Sequence, residues 1–254
     1  MIPNNLNRDN ISRSTDSMQT QAGTSGASSG AIKTSKAQIL RHLIQVWSNF
    51  EYQLNQLPVV KQAISGNLTL ANLQRLLLDH LQQVKEGSGW ITRAASSITS
   101  EYLDIRNQFI AHAQTEHKDY LMLQQNYLAA GGTEEALDRA EKNLGTEAFS
   151  AWMYHRASQA NPFDLIGAMF IIEGLGQRFA EHFTKGLAKC SSIHPDHYTF
   201  YQYHAQHDEE HIEELESLLE HPVFNDAKLI QAITKTAKVT ARLYLLQLQE
   251  IGNN

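Results

Sequence analysis

From Ala37 to the end of the chain, apolar residues recur at spacings of three and four, with almost no alternating β-branched runs. That period is helical, so the chain has to bury its apolar stripes by packing helix on helix. Punctuation divides the pattern. Pro58 ends a first helix, "AQILRHLIQVWSNFEYQLNQL", because proline disfavours the helical conformation of the residue before it. "TLANLQRLLLDHLQQVKEGSGWITRAASSI" continues with a kink or break at Gly87, Ser88 and Gly89. A long helix runs from about Ser100 to the glycine stop at Gly131 and Gly132. Thr133, with Glu134 and Glu135 behind it, caps a short helix to Leu144 that Gly145 closes. "TEAFSAWMYHRASQ" follows, then Asn161 and Pro162 start "FDLIGAMFIIEGLGQRFAEHFTKGLA", and two more helices complete the chain. The expectation is one all-α domain, residues 36–254, of about seven or eight helices.

Residues 1–35 differ in kind. They are rich in Ser, Thr, Asn, Gln and Gly and poor in large apolar side chains, and so read as a disordered polar tail. The 254-residue chain carries a net charge of −6 and no block of Lys or Arg, which argues against nucleic-acid or anionic-membrane partners. Cys190 is the only cysteine, excluding an intrachain disulfide and a sulfur-rich metal site. No apolar run approaches a membrane span, and the N-terminus has no signal-peptide core. The expected setting is the cytoplasm and the expected partner a small-molecule substrate, with association to a homodimer left open.

The chemistry concentrates in "YHAQHDEEHIEELESLLEHP", residues 203–222. On a helix, Asp208 lies roughly 40° and His211 roughly 20° from the direction of His204, so these three share a stripe over two turns. His207, Asp208 and His211 also read as a distorted zinc-peptidase signature, with Asp where that signature has Glu. The remaining glutamates read as a solvated acidic face. In "LIGAMFIIEGLGQRFA", Glu173 stands in an apolar run where an unpaired carboxylate would cost several kcal/mol to bury. A metal would compensate it, and so would Arg156 or Arg178. Gly167, Gly174 and Gly176 thin the same helix. In "AHAQTEHKDY", Glu116 shares a face with His112, Asp119 and Tyr120, whereas His117 points about 100° away from Glu116.

Three segments together resemble the heme-oxygenase-like diiron oxidases, a group that includes CADD-like proteins and UndA-type fatty-acid decarboxylases and shares its fold with the TenA thiaminases. The segments are "HAQHDEEH", "IIEG" and "EHKDYLMLQQNYLAAGG", within a span from about Leu40 to Glu220. The resemblance implies a single-domain heme-oxygenase-like helical bundle with His204, Asp208, His211, Glu173 and His117 as metal ligands. The family's further glutamate, three or seven residues before the first-helix histidine, is replaced here by Gln114 and Ile110. Glu116 is the nearest substitute, through a local distortion of the helix such as a π-bulge. The implied cofactor is Fe(II), two per chain, with O2 as co-substrate. The implied reaction is oxidation of a small amphiphilic substrate, an amino acid or fatty acid, by decarboxylation, carbon-carbon or carbon-nitrogen cleavage, or N-oxygenation. Arg156 and Arg178 are the expected carboxylate clamps, and Tyr154, Tyr201 and Tyr203 the expected pocket aromatics. The rival readings are a metal-free TenA-like hydrolase, a non-enzymatic CADD-like interaction protein with a degenerate metal site, and a zinc hydrolase.

Overall fold

A computed structural model describes residues 25–251, with side chains from residue 34 onward except at positions 209 and 210. Residues 1–24 of the polar segment lie outside it. The first helix, α1, is Ser25–Leu54; it therefore takes in the boundary expected near residue 35.

The helices that follow are α2 Pro58–Ile64, α3 Leu70–Val84, α4 Gly87–Ser97, α5 Leu103–Thr115 and α6 Tyr120–Ala129. After them come α7 Glu134–Arg139, α8 Leu144–Ala157, α9 Ile166–Gly174, α10 Glu181–Leu187, α11 Thr199–Leu218 and α12 Ala227–Gln249. All regular structure among the described residues is helical, as the apolar period requires. The number of helices exceeds the seven or eight expected, because long stretches are interrupted by changes of helical pitch. A 3-10 turn, Glu116–Lys118, separates α5 from α6, and a π-helical turn, Leu175–Ala180, joins α9 to α10.

Among the described residues, side-chain capping marks the starts of four α-helices. Thr69, Thr133 and Asp226 accept hydrogen bonds from backbone N–H groups at the starts of α3, α7 and α12. Asn143 does the same for α8, accepting from Thr146 N at 2.8 Å. Gly145, expected to close a helix, instead lies in the first turn of α8. The reason is tertiary: a Cβ there would collide with the Gln247 backbone of α12, so glycine lets the two helices touch.

The bundle is organised around α12, which packs on α1, α8 and α9. α11 lies along α9 and the π-turn, α3 packs on α6, and α4 on α5 and α8. A continuous core fills the space between, with Phe50, Phe109, Phe149 and Phe224 among its fully buried members. At roughly 25 cal/mol per Å², such burial is the main stabilising term. Among the described residues no helix is long and apolar enough to cross a membrane.

Candidate metal centre

Four side chains, from α5, the 3-10 turn that follows it, α9 and α11, converge. His112 and Glu116 are one turn apart, the latter at the start of the 3-10 turn; Glu173 comes from the last turn of α9 and His211 from α11. One ligand-type atom from each lies within 4.8 Å of those of the other three. Glu173 is the hub. Its Oε2 accepts a hydrogen bond from His211 Nδ1 at 2.9 Å, and its Oε1 lies 3.2 Å from His112 Nε2. Glu116 Oε1 stands 3.6 Å from His211 Nδ1. The two imidazoles meet edge to face, 4.9 Å between ring centres.

A second group adjoins the first. His204 Nδ1 donates to Asp208 Oδ1 at 2.7 Å, and its Nε2 lies 3.4 Å from Asp119 Oδ2. Asp208 is seated against the π-turn at Gly176, where a Cβ would collide with its carboxylate.

The electrostatics follow from dense burial of opposite charges. Burial raises the Glu173 carboxyl, but the hydrogen bonds from His112 and His211 outweigh it and hold the group at about 2. Burial and the neighbouring Glu173 charge push Glu116 up to about 7. Burial lowers His204, yet Asp119 and Asp208 hold it at about 10; Glu173 similarly holds His211 at about 9. His112 is raised by Glu173, and Asp208 by its own burial.

The donor set suits a divalent first-row metal: imidazole nitrogens and carboxylate oxygens with no thiolate. Two buried atoms point the same way. Glu116 Oε1 and His204 Nε2 have no hydrogen-bond partner, although groups so deeply placed ordinarily have one. A metal bound by these residues would satisfy both.

Several sequence expectations are relocated. The His204, Asp208 and His211 stripe exists, but it divides: His211 joins Glu173, while His204 and Asp208 face Asp119. His117 is exposed, outside the cluster, and His112 stands where it was expected. The cause is the 100° turn between Glu116 and its neighbour, which the 3-10 segment does not undo. Glu116 does turn inward, through that segment rather than a π-bulge. Arg156, expected as a carboxylate clamp, grips the buried Asp164 through two hydrogen bonds of 2.9 Å each. Arg178 is exposed, and neither arginine lines a cavity at the cluster. Tyr154 donates to Glu86 Oε2 at 2.8 Å, away from the cluster. Tyr203 faces outward, stacked on His207 at 4.0 Å. His207 is exposed, and its Nδ1 is bonded to Tyr203 O, so it stands outside both groups. His112 and Asp119 were the omissions from the expected set; their helical register with Glu116 was the available signal.

Beside the cluster opens a cavity of about 110 Å³ bounded by Glu116, Glu173, His204 and Asp208. Its other walls are mainly aliphatic and aromatic.

A family model described as "iron-containing redox enzyme" matches residues 91–245. The chain belongs to that family. The match takes in all seven residues of the two groups, so a buried histidine and carboxylate centre stands inside an iron-containing family's defining region. No curated protein gives a significant match. Among solved structures, a domain of unknown function with a heme oxygenase-like fold from Shewanella denitrificans OS217 superposes with a TM-score of 0.73 at 18% identity. The match covers 82% of this chain and 88% of that one. A TenA homolog from Pseudomonas syringae pv. tomato DC3000 gives 0.69 at 13% identity, over 84% and 92%. A TenA homologue from P. horikoshii OT3 gives 0.58 at 15%, over 83% and 96%. At these identities the likeness establishes the heme-oxygenase-like fold.

Proposed function

We propose that the chain is a nonheme iron oxidase or oxygenase that uses O2 to oxidise a small substrate held in the cavity beside the cluster. The observation that carries this reading is the convergent set His112, Glu116, Glu173 and His211, buried or half-buried, whose two glutamates line a mainly apolar cavity within an iron-containing redox family. These four would hold one iron. Asp119, His204 and Asp208 would hold a second.

When bound, ferrous iron supplies the electrons for O2 reduction. The chain's own contribution is positional. In the metal-free protein Glu173 holds His112 and His211 from opposite oxygens and so places them for a metal; the walls of the cavity exclude water and bring a substrate against the cluster. Glu116 lies at the cavity edge, its carboxyl raised to about 7 in the metal-free protein by burial and the Glu173 charge, so it would give up a proton on binding iron. A metal-free hydrolase is supported less well. No Ser, Thr or Cys lines the cavity among the described residues, and Cys190 is buried with its thiol toward Gly186 O.

Anaerobic ferrous titration tests the proposal. Up to two irons should bind per chain, and the loaded protein should consume O2 when substrate is present. Wild-type protein that binds no iron under reducing conditions would end the reading.

A further inference from the structure

The cavity has a second polar feature besides the cluster. His80 of α3 is buried there between two phenols, with Nδ1 3.2 Å from Tyr201 Oη and Nε2 3.2 Å from Tyr244 Oη. The imidazole stacks on Tyr201 at 5.7 Å and 17°, and its edge meets Phe200. The remaining polar group at this end is the Gln83 amide, whose Oε1 accepts from Gln247 Nε2 at 3.0 Å. No Lys or Arg among the described residues lines the cavity.

We propose that this end receives the remote part of the substrate, an uncharged group that both donates and accepts a hydrogen bond, such as an alcohol or primary amide, carried on an aliphatic or aromatic body. This rests on the reading of the adjacent cluster as the reaction centre.

The hydrogen-bond count defines the complement. A neutral imidazole has one N–H and one lone pair, so one phenol donates to His80 and the other accepts from it. The accepting phenol keeps its own O–H for a ligand, and the donating phenol keeps an oxygen lone pair. The pair thus offers one donor and one acceptor. Burial keeps both phenols protonated and the ring uncharged. Neither phenol nor the ring carries a charge, so a carboxylate or ammonium group bound to them would give up its hydration for neutral partners, at a cost of several kcal/mol. Val60, Leu76, Phe179 and Phe183 supply the apolar surface for the body of the molecule.

Calorimetric binding of octan-1-ol, octanamide, octanoate and octylamine to the metal-free full-length protein provides the test. The alcohol and the amide should bind through the phenols, whereas any binding of the two ions should not depend on them, because their counter-charges, His204 and the carboxylates, stand at the cluster; that difference is the neutral-probe selectivity. In a Tyr201→Phe, Tyr244→Phe double variant of unchanged helicity, their affinity should fall roughly tenfold, in line with two neutral hydrogen bonds. Tyr244→Phe alone provides the same readout, roughly threefold, should the double variant not fold. Octanoate affinity falling in the variant as far as the alcohol's, no binding by either neutral probe, or alcohol affinity unchanged in the variant would each overturn the assignment. Ferrous titration of the same samples keeps the two readings apart: normal iron uptake without neutral-probe selectivity removes the substrate class alone, whereas selectivity without iron uptake removes the oxidase.

Discussion

Glu173 shows how one side chain can organise a centre. It is 4% exposed, in an α-helix whose other residues are almost all apolar, and it keeps its charge only because His112 and His211 address its two oxygens. Removing either histidine leaves a buried charge short of a partner. His112→Ala should weaken ferrous binding by more than about a hundredfold, beyond the 10–100-fold typical of lost supporting groups, whereas His117→Ala, altering an exposed residue, should leave the titration unchanged. Equal losses in the two variants would reject the assignment of His112. Glu173 was legible in the sequence because a carboxylate in an apolar run demands compensation. His112 was harder to read, since helical geometry put it on the Glu116 face but could not say which face turned inward. That choice is made by packing of α5 on α4 and α11.

At the scale of elements, two changes of pitch set the site. The 3-10 turn after α5 brings Glu116 inward without bringing in His117, and the π-turn after Glu173 carries Gly176 up to Asp208. Helical period, capping residues and glycine stops made the all-α class and most helix starts legible. Pitch changes leave almost no trace in an apolar pattern, and close approaches such as Gly145 on α12 depend on partners distant in sequence. Gly176→Ala exposes the consequence. Its methyl would collide with Asp208, so the carboxylate must move or the π-turn must shift, at about 1–3 kcal/mol by analogy with overpacked cores. The expected result is a lowered thermal midpoint, with iron uptake falling toward one per chain because Asp208 belongs to the second group. Retention of two irons would show that Asp208 is dispensable.

For the molecule as a whole, the cluster couples folding, metal and protons. In the metal-free state His204 and His211 are held at about 10 and about 9, above the ordinary histidine value near 6.5. A raised folded-state value means that the folded protein binds the proton more tightly than the unfolded chain does. The resulting stability is fully present below about pH 6.5 and is lost as pH rises through 9 to 10. Glu116, raised to about 7, acts in the same sense, its contribution disappearing between about pH 4.5 and 7. Glu173, held down at about 2, opposes them only in strong acid, as pH falls from about 4.5 through 2. Metal binding reverses the main trend, because each imidazole must shed a proton before it can coordinate. The metal-free protein should therefore melt at progressively lower temperature from pH 6 to 9.5, while ferrous affinity, measured anaerobically against a chelator, climbs over the same interval with release of protons to the buffer. A flat melting temperature for the metal-free protein, together with a pH-independent iron affinity, would show that these histidines are not held protonated by the carboxylates around them.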